Sequence, residues 1–158
     1  MSPISGQIKV LLSRGSCVTT DATGGTLTMT LTGVNNTLDN QLSAGTDSWI
    51  GHVYNLGGLQ GYAGYYTESE NFGLQEFGGN TVCFPLLANG VNRTNIYTET
   101  FAVRYRMRST RPAGCYLITI RGDDGTRLYV NGASVAALDQ WTDHSFTTYA
   151  NVIVNFQC

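Results

Sequence analysis

Two adjacent aspartates, Asp123 and Asp124, are the residues in this sequence whose type and spacing point most directly to chemistry. They lie between Gly122 and Gly125, directly after an alternating apolar run that is typical of a strand. The glycines are expected to let the backbone turn so that both carboxylates point the same way. Calcium, which takes roughly six to eight oxygen ligands, would relieve the repulsion between them. An Asp-Gly turn exposed to water explains the same residues, so the spacing alone leaves both interpretations open.

The remaining reactive residues do not form an arrangement typical of an enzyme. The paired carboxylates of glycosidases face each other across a cleft at roughly 5–10 Å, and adjacent residues do not meet that requirement. The sequence has four cysteines and two histidines but no C-x-x-C pair, which argues against a zinc site. No nucleophile and base occur in a recognisable motif. We therefore predict that the protein is not an enzyme.

The cysteines indicate the compartment in which the chain folds. An even number of widely spaced cysteines in a chain rich in Thr, Asn and Gly predicts two disulfides and an oxidising, extracellular environment. Buried thiols in a cytosolic protein are the alternative, and the sequence does not choose among the three possible pairings. Met1 leads directly into polar sequence, which suggests a mature domain with an added initiator methionine. The candidate disulfide residues are Cys17, Cys83, Cys115 and Cys158.

Length and charge narrow the class of protein further. The chain of 158 residues suits one domain, and no apolar run approaches the ~20 residues that a membrane-spanning helix needs. Charged residues make up 13% of the chain and the net charge is −2, which argues against a nucleic-acid partner. We expect neither nucleic-acid binding nor membrane insertion.

Alternation of apolar and polar residues dominates the chain and predicts strands. In residues 101–108 the apolar members share one face and three arginines share the other, and a solvated face or anion binding can explain the arginine row. The apolar members are Phe101, Val103, Tyr105 and Met107, and the arginines are Arg104, Arg106 and Arg108. Residues 26–32, 116–120 and 152–156 alternate in the same way. With no convincing amphipathic helix, the pattern predicts an antiparallel β-sandwich.

Two further segments lie between these strands. Asn131-Gly132 separates two apolar runs, residues 127–130 and 133–137, and predicts a type I′ turn that sets the register of a hairpin. Residues 57–80 contain seven glycines and five aromatic residues with weak alternation, which predicts loops and short strands. These aromatic side chains can stack on sugars or close one end of the sandwich.

The run around the aspartates resembles a known family. Residues 123–132, with the sequence DDGTRLYVNG, and the later Trp141-Thr-Asp-His144 resemble the signature of the domain named after the anthrax protective antigen. Residues 101–105 and 114–120 are similar to the paired central strands of that family, and residues 49–55 are similar to its opening strand. The resemblance covers residues 47–158 of a single domain, and residues 1–46 are expected to add strands at the sandwich edge. The cysteines and the Gly/Tyr-rich stretch are similar to variants in large bacterial surface proteins.

The resemblance implies a jelly-roll-like β-sandwich and a calcium-dependent carbohydrate-binding module of a secreted or cell-surface adhesin, within a larger surface protein. It implies that Asp123 and Asp124, joined by a cis peptide, bind Ca²⁺, and that vicinal hydroxyls of a glycan complete the coordination. A later loop supplies further ligands in the family, and Asp139 and Asp143 are the candidates for the metal. Gln140 and Trp141 are the candidates for contact with the sugar, although for Trp141 a role as a core or loop anchor is the preferred explanation.

Two other functions remain open at this point. A structural or interaction domain of a bacterial surface protein would use the Asp pair only for its fold. An accessory domain would shape the pocket of a neighbouring enzyme. His52 and His144 are interpreted as structural residues in either case, since each is alone and can be satisfied by a hydrogen bond.

Overall fold

The fold consists almost entirely of strands, as the alternation predicts. The structure is a computed structural model that describes residues 3–11, 29–31, 37–56, 58–72, 83–88 and 91–156. A short 3-10 helix at Thr37–Asp39 is the one helix in these ranges. The strands, in chain order, are β1 (Pro3–Leu11), β2 (Met29–Leu31), β3 (Gly45–Thr46), β4 (Ser48–Leu56), β5 (Gln60–Ser69), β6 (Cys83–Ala88), β7 (Val91–Tyr97), β8 (Ala102–Thr110), β9 (Gly114–Gly122), β10 (Gly125–Val130), β11 (Leu138–Gln140) and β12 (Thr147–Phe156).

The largest sheet has the strand order β11-β10-β1-β8-β4-β5, and the short β3 pairs with β8. Its strands are antiparallel except for the β3–β8 pair. Strand β1 pairs with β8 on one side and with β10 on the other, so it lies inside the sheet. The expectation that residues 1–46 only add strands at the edge is therefore wrong for β1. Its long-range pairing satisfies the backbone groups of two strands at once, and alternation within a strand does not reveal its neighbours.

Two smaller sheets, β9–β12 and β2–β6–β7, form the second layer on one face of the large sheet. One core cluster joins the large sheet to β6 and β7 and includes Val53, Val103, Leu86 and Ile96. A second cluster joins β10 to β9 and β12 through Leu128, Ile120, Val154 and Phe156. This two-layered packing confirms the prediction of an all-β, sandwich-like fold, whereas the jelly-roll arrangement stays a prediction.

The alternation in β8 divides the sheet into a core face and an outer face. Val103, Tyr105 and Met107 are buried against the second layer, as predicted. The hydroxyls of Tyr66 and Tyr105 hydrogen-bond to each other inside the core, beside Gly51. A Cβ atom at position 51 would lie 2.8 Å from the Tyr66 ring and 3.0 Å from the Tyr105 ring. Glycine at this position therefore permits the close packing of the two rings.

On the outer face, residues 37–46 cover the part of the sheet formed by β4 and β5. The Tyr54 and Tyr62 hydroxyls donate to Gln41 Oε1 at 2.9 Å and to Asp39 Oδ1 at 2.8 Å. His52 is 0% exposed, and its Nε2 lies 3.0 Å from the Ser43 carbonyl oxygen. Burial, together with the positive charges of nearby arginines, lowers the pKa of His52. The interpretation of His52 as a structural residue fits these contacts.

The Asn131-Gly132 turn forms as predicted, but the β10–β11 hairpin that contains it has a longer loop than predicted. Asn131 and Gly132 have φ values of 54° and 70°, and the Ala133 N–H donates to the Val130 carbonyl at 3.0 Å. These are the features of a type I′ turn. Residues 133–137 are not a strand, because they extend into solvent with Val135 78% exposed. Strand β11 begins only at Leu138, so the turn is not adjacent to the ladder.

The aromatic segment is more regular than its composition suggests. Strand β5 runs through ten residues of it, with Tyr65 and Tyr66 buried, and Phe72 packs against Tyr105 with ring centroids 5.1 Å apart. Tyr66 and Phe72 therefore pack in the core, whereas Tyr65 is buried on the outer face beside His52. Gly57 and residues 73–80, with Phe77, lie outside the described residues.

The described cysteines, Cys83 and Cys115, are both disulfide-bonded. Cys17 and Cys158 lie outside the described residues, and so do positions 26–28 and 32 of a predicted strand, of which Met29–Leu31 forms β2. The prediction of two disulfides therefore stays a prediction. In the described ranges no helix has the length and hydropathy to cross a membrane.

Candidate functional site

The candidate site is the turn formed by Gly122, Asp123, Asp124 and Gly125, which joins β9 to β10. Strand β9 belongs to the two-stranded sheet and β10 to the large sheet, so the chain crosses between the two layers at this turn. Asp123 is exposed and Asp124 is half-buried. The crossing thus holds two neighbouring carboxylates at one end of the sandwich, on rigid strands.

Neither glycine of the turn has an unusual φ angle, and Gly122 is the one needed for space. Neither Gly122 nor Gly125 is among the described residues with positive φ, contrary to the expected role in turning the backbone. A Cβ at Gly122 would overlap the Thr126 side chain, whereas a Cβ at Gly125 would lie 3.4 Å from the Cα of Trp141, which is an ordinary contact distance. Close packing of Thr126 on the turn therefore requires glycine at position 122, and the packing of Trp141 does not require it at position 125.

Three hydrogen bonds fix the turn itself. The Asp124 N–H donates to Asp123 Oδ1 at 3.1 Å, and the Thr126 hydroxyl donates to the Asp124 carbonyl at 3.2 Å. The His144 N–H donates to Asp124 Oδ1 at 3.0 Å from the loop after β11. Since no cis peptide occurs among the described residues, Asp123 and Asp124 are joined by a trans peptide, and the expected cis peptide is wrong. The His144 amide orients the Asp124 carboxylate with the chain in its ordinary trans form.

The His144 side chain is held on both ring nitrogens. Its Nδ1 lies 2.9 Å from the Ser145 carbonyl oxygen and its Nε2 lies 3.0 Å from the Tyr149 hydroxyl. A neutral ring that donates from Nδ1 and accepts at Nε2 satisfies both partners. The expectation that His144 serves as a structural hydrogen-bonding residue fits this arrangement, and its effect is to place the main-chain donor beside Asp124.

The electrostatics of the turn disfavour a negative charge on Asp124. Partial burial raises the pKa of Asp124, and the charges of Asp123 and Asp143 raise it further, while the hydrogen bond from His144 acts in the opposite direction. A bound cation would remove this conflict. The described residues nevertheless contain no group of three His, Cys, Asp or Glu side chains placed to hold a metal ion. A calcium ion here would therefore depend on the two aspartates together with main-chain or ligand oxygens.

The structure does not bring all of the predicted ligands to this turn. Asp139 Oδ1 instead accepts a hydrogen bond from Arg127 Nε at 2.6 Å, within the β10–β11 ladder. Gln140 pairs with Thr126 in the same ladder and is exposed close to the turn. Asp143 lies near enough for its charge to act on Asp124. Asp143 and Gln140 thus remain near the candidate site, and Asp139 is occupied elsewhere.

Trp141 acts as an anchor for the loop that carries His144. Its ring is half-buried, packs on Gly125 and lies 4.7 Å below the guanidinium carbon of Arg127. A cation over the ring face is a favourable contact that also occupies that face. These contacts support the loop-anchor interpretation rather than a platform for sugar.

Sequence reasoning missed the residues that position Asp124. The donor is a main-chain N–H, which every residue except proline carries, so the sequence holds no signal for it. Tyr149, which contacts His144, lies next to a bulge in β12, where the register with β9 shifts between Tyr149 and Val152. Pairing with β9 reveals that bulge, and alternation alone does not.

No family model matches the chain, and neither a curated protein nor a solved structure matches it. The resemblance to the protective-antigen-type domain therefore stays a prediction that rests on the residues quoted for it.

Proposed function

We propose that this chain is a calcium-dependent carbohydrate-binding module of a secreted or cell-surface adhesin. The observation that supports the proposal best is the surrounding of the Asp124 carboxylate, which combines partial burial with acidic neighbours. Its carboxylate is half-buried beside two other aspartates, and this surrounding raises its pKa. Such a carboxylate costs folding free energy when it is ionised, and a bound cation offsets that cost.

In this proposal Asp123 and Asp124 supply the protein oxygens that contact calcium. Asp143 adds negative charge nearby, and the His144 amide holds the Asp124 carboxylate in place. Calcium accepts neutral oxygen donors and irregular geometry, so vicinal hydroxyls of a glycan can complete its coordination. The position at the end of the sandwich would leave room for a sugar from outside.

A structural or interaction domain without sugar binding is the second candidate. Two observations favour it. The described residues contain no group of three acidic, His or Cys side chains that could hold a metal ion. The His144 N–H already donates a hydrogen bond to one carboxylate oxygen of Asp124. In that case the Asp124 carboxylate only connects the β9–β10 turn to the loop after β11.

The test is a glycan-binding screen with calcium and with chelator, run on wild type, Asp124→Asn and Asp139→Asn. We expect wild type and Asp139→Asn to retain glycans only with calcium, since Asp139 is bonded to Arg127. Asp124→Asn should lose both calcium and glycan binding. Equal glycan binding in chelator would refute the proposed mechanism, and no glycan binding under any condition would favour the structural domain.

A further inference from the structure

Basic residues are concentrated in one part of the large sheet. Arg104, Arg106 and Arg108 follow each other on the outer side of β8, and register places Lys9 of β1 between Arg104 and Arg127 of β10. This part of the sheet therefore has five of the nine lysines and arginines of the chain, three on β8 and one each on β1 and β10. A chain with a net charge of −2 thus carries a local positive region, and we call its three β8 members, Arg104, Arg106 and Arg108, the arginine row.

The three arginines of the row are not neutralised by acidic neighbours. Within the described ranges none of them forms a salt bridge, whereas Arg127 pairs with Asp139. Burial and the charges of Arg104 and Arg108 lower the pKa of Arg106, which shows that the row carries mutual repulsion. On a fully solvated strand face, such arginine side chains would extend into water, away from one another.

Arg104 and Arg106 are in fact half-buried, unlike the exposed Arg108. The Nε atoms of both are buried and have no hydrogen-bond partner in the part of the chain that the structure describes. A buried donor without an acceptor costs free energy that an acceptor can restore. Carboxylates and sulfates fit this donor set, because a guanidinium can donate two parallel hydrogen bonds to one such group.

The shape of the row indicates an extended ligand. Alternate residues of a strand are roughly 6.6–6.8 Å apart, so Arg104 and Arg108 are separated by roughly 13 Å. One small anion cannot contact all three arginines at this separation. The neighbouring surface over β4 and β5 is covered by the segment that carries Asp39, Gln41 and Ser43, so the exposed end of the row at Arg108 is where a ligand would first make contact.

The same surface is less suited to nucleic acids and to peptides than to an acidic polysaccharide. Single-stranded nucleic acids are bound by stacking their bases on exposed aromatic rings, but Tyr54 and Tyr65 on this face are buried. Peptides are bound in apolar grooves or at free sheet edges, and β8 lies inside its sheet between β1 and β4. A polysaccharide with repeated acidic groups needs only spaced cations and a flat polar surface.

We propose that the arginine row binds an acidic polysaccharide, a chain that bears carboxylate or sulfate groups, without the help of calcium. This site is separate from the β9–β10 turn and does not depend on the function proposed for that turn. Both ligands are carbohydrates, but the turn recognises neutral hydroxyls through a cation and the row recognises anionic groups directly.

The experiment measures binding of polygalacturonate, heparin and neutral dextran in chelator at low salt. We expect binding of one or both acidic polymers, weaker binding as salt rises, and no binding of dextran. The double variant Arg104→Gln/Arg106→Gln should lose roughly tenfold to a hundredfold in affinity. Arg121→Gln removes an exposed arginine from β9 in the other layer and should bind like wild type.

Several results would overturn the proposal. Binding of dextran equal to that of the acidic polymers, an affinity unchanged in the double variant, or no binding at low salt would each do so. Tighter binding of an oligonucleotide or of polyglutamate under the same conditions would assign the row to another class of partner. If the double variant does not fold, Arg108→Gln, at an exposed position, provides the same test with a smaller expected loss. Asp124→Asn should bind the acidic polymers normally, which separates failure of this site from failure of the calcium site.

Discussion

Replacement of Asp124 by asparagine should have opposite effects on the stability of the fold and on calcium binding. The pKa of Asp124 lies above its ordinary value of 3.8 in the folded protein. The protonated group therefore favours the folded state, and this contribution is lost as pH rises through 3.8 and then through the folded pKa. At neutral pH the ionised wild type carries the full cost, whereas asparagine resembles the neutral acid and can still accept from the His144 N–H.

The expected gain in the absence of calcium is small, because Asp124 is only partly buried and solvent screens its neighbours. We estimate about 0.5 kcal/mol. For a chain of this size that corresponds to a rise in Tm of about 1–2 °C. Calcium at a hundred times its Kd adds about 2.7 kcal/mol if only the folded state binds it, or about 5–10 °C. The variant should lose most of this second shift.

The assay is thermal unfolding at pH 7, first in chelator and then over a calcium titration, for wild type and Asp124→Asn. Asp139→Asn serves as the matched control, because it removes one negative charge but leaves the β9–β10 turn intact. The control should lose a few tenths of a kcal/mol from its pair with Arg127 and keep the calcium shift. A fall of several degrees for Asp124→Asn in chelator would show that the charged hydrogen bond to His144 outweighs the repulsion. A calcium shift equal to that of wild type would remove Asp124 from the site.

Three further predictions follow from the packing and the chemistry of the fold. Gly51→Ala should lower the free energy of unfolding in urea by about 2–3 kcal/mol, because the added Cβ meets two buried tyrosine rings. Gly132→Ala has nothing within 4 Å of its Cβ, so it should cost about 1 kcal/mol through its positive φ alone. Equal losses for the two variants would contradict this reasoning. Thiol titration of the denatured, unreduced chain should find no free thiol, and four reactive thiols would rule out both disulfides. Because burial lowers the pKa of His52, the folded protein should lose stability as pH falls below 6.5 toward the folded pKa, and His52→Gln should show a smaller loss over the same pH window.

The parts of the fold that were predictable from the sequence are those set by neighbouring residues. Alternation assigned Val103, Tyr105 and Met107 to the core and Arg104 to the other face, because successive side chains of a strand point to opposite sides. The positive φ of Gly132 followed in the same way from the needs of a type I′ turn.

The parts that were not predictable depend on residues distant in the chain. Pairing of β1 with both β8 and β10 brings together segments about 100 residues apart, and no local pattern encodes it. At the candidate site, the Asp pair was visible in the sequence, but its control by the His144 main chain was not. The space taken by Trp141 against Gly125 likewise appears only when β11 has paired with β10.

Net charge was a poor guide to the surface of this protein because its charges are separated. The acidic turn holds Asp123, Asp124 and Asp143 at one end of the sandwich, and the arginine row lies on the outer face of β8. Arg127 stands between the two regions, paired with Asp139 and stacked on Trp141. This arrangement neutralises one cation of the sheet and keeps Asp139 away from the turn. A net charge of −2 therefore argues against binding of a polyanion only if the charges are evenly spread, and in this fold they are not.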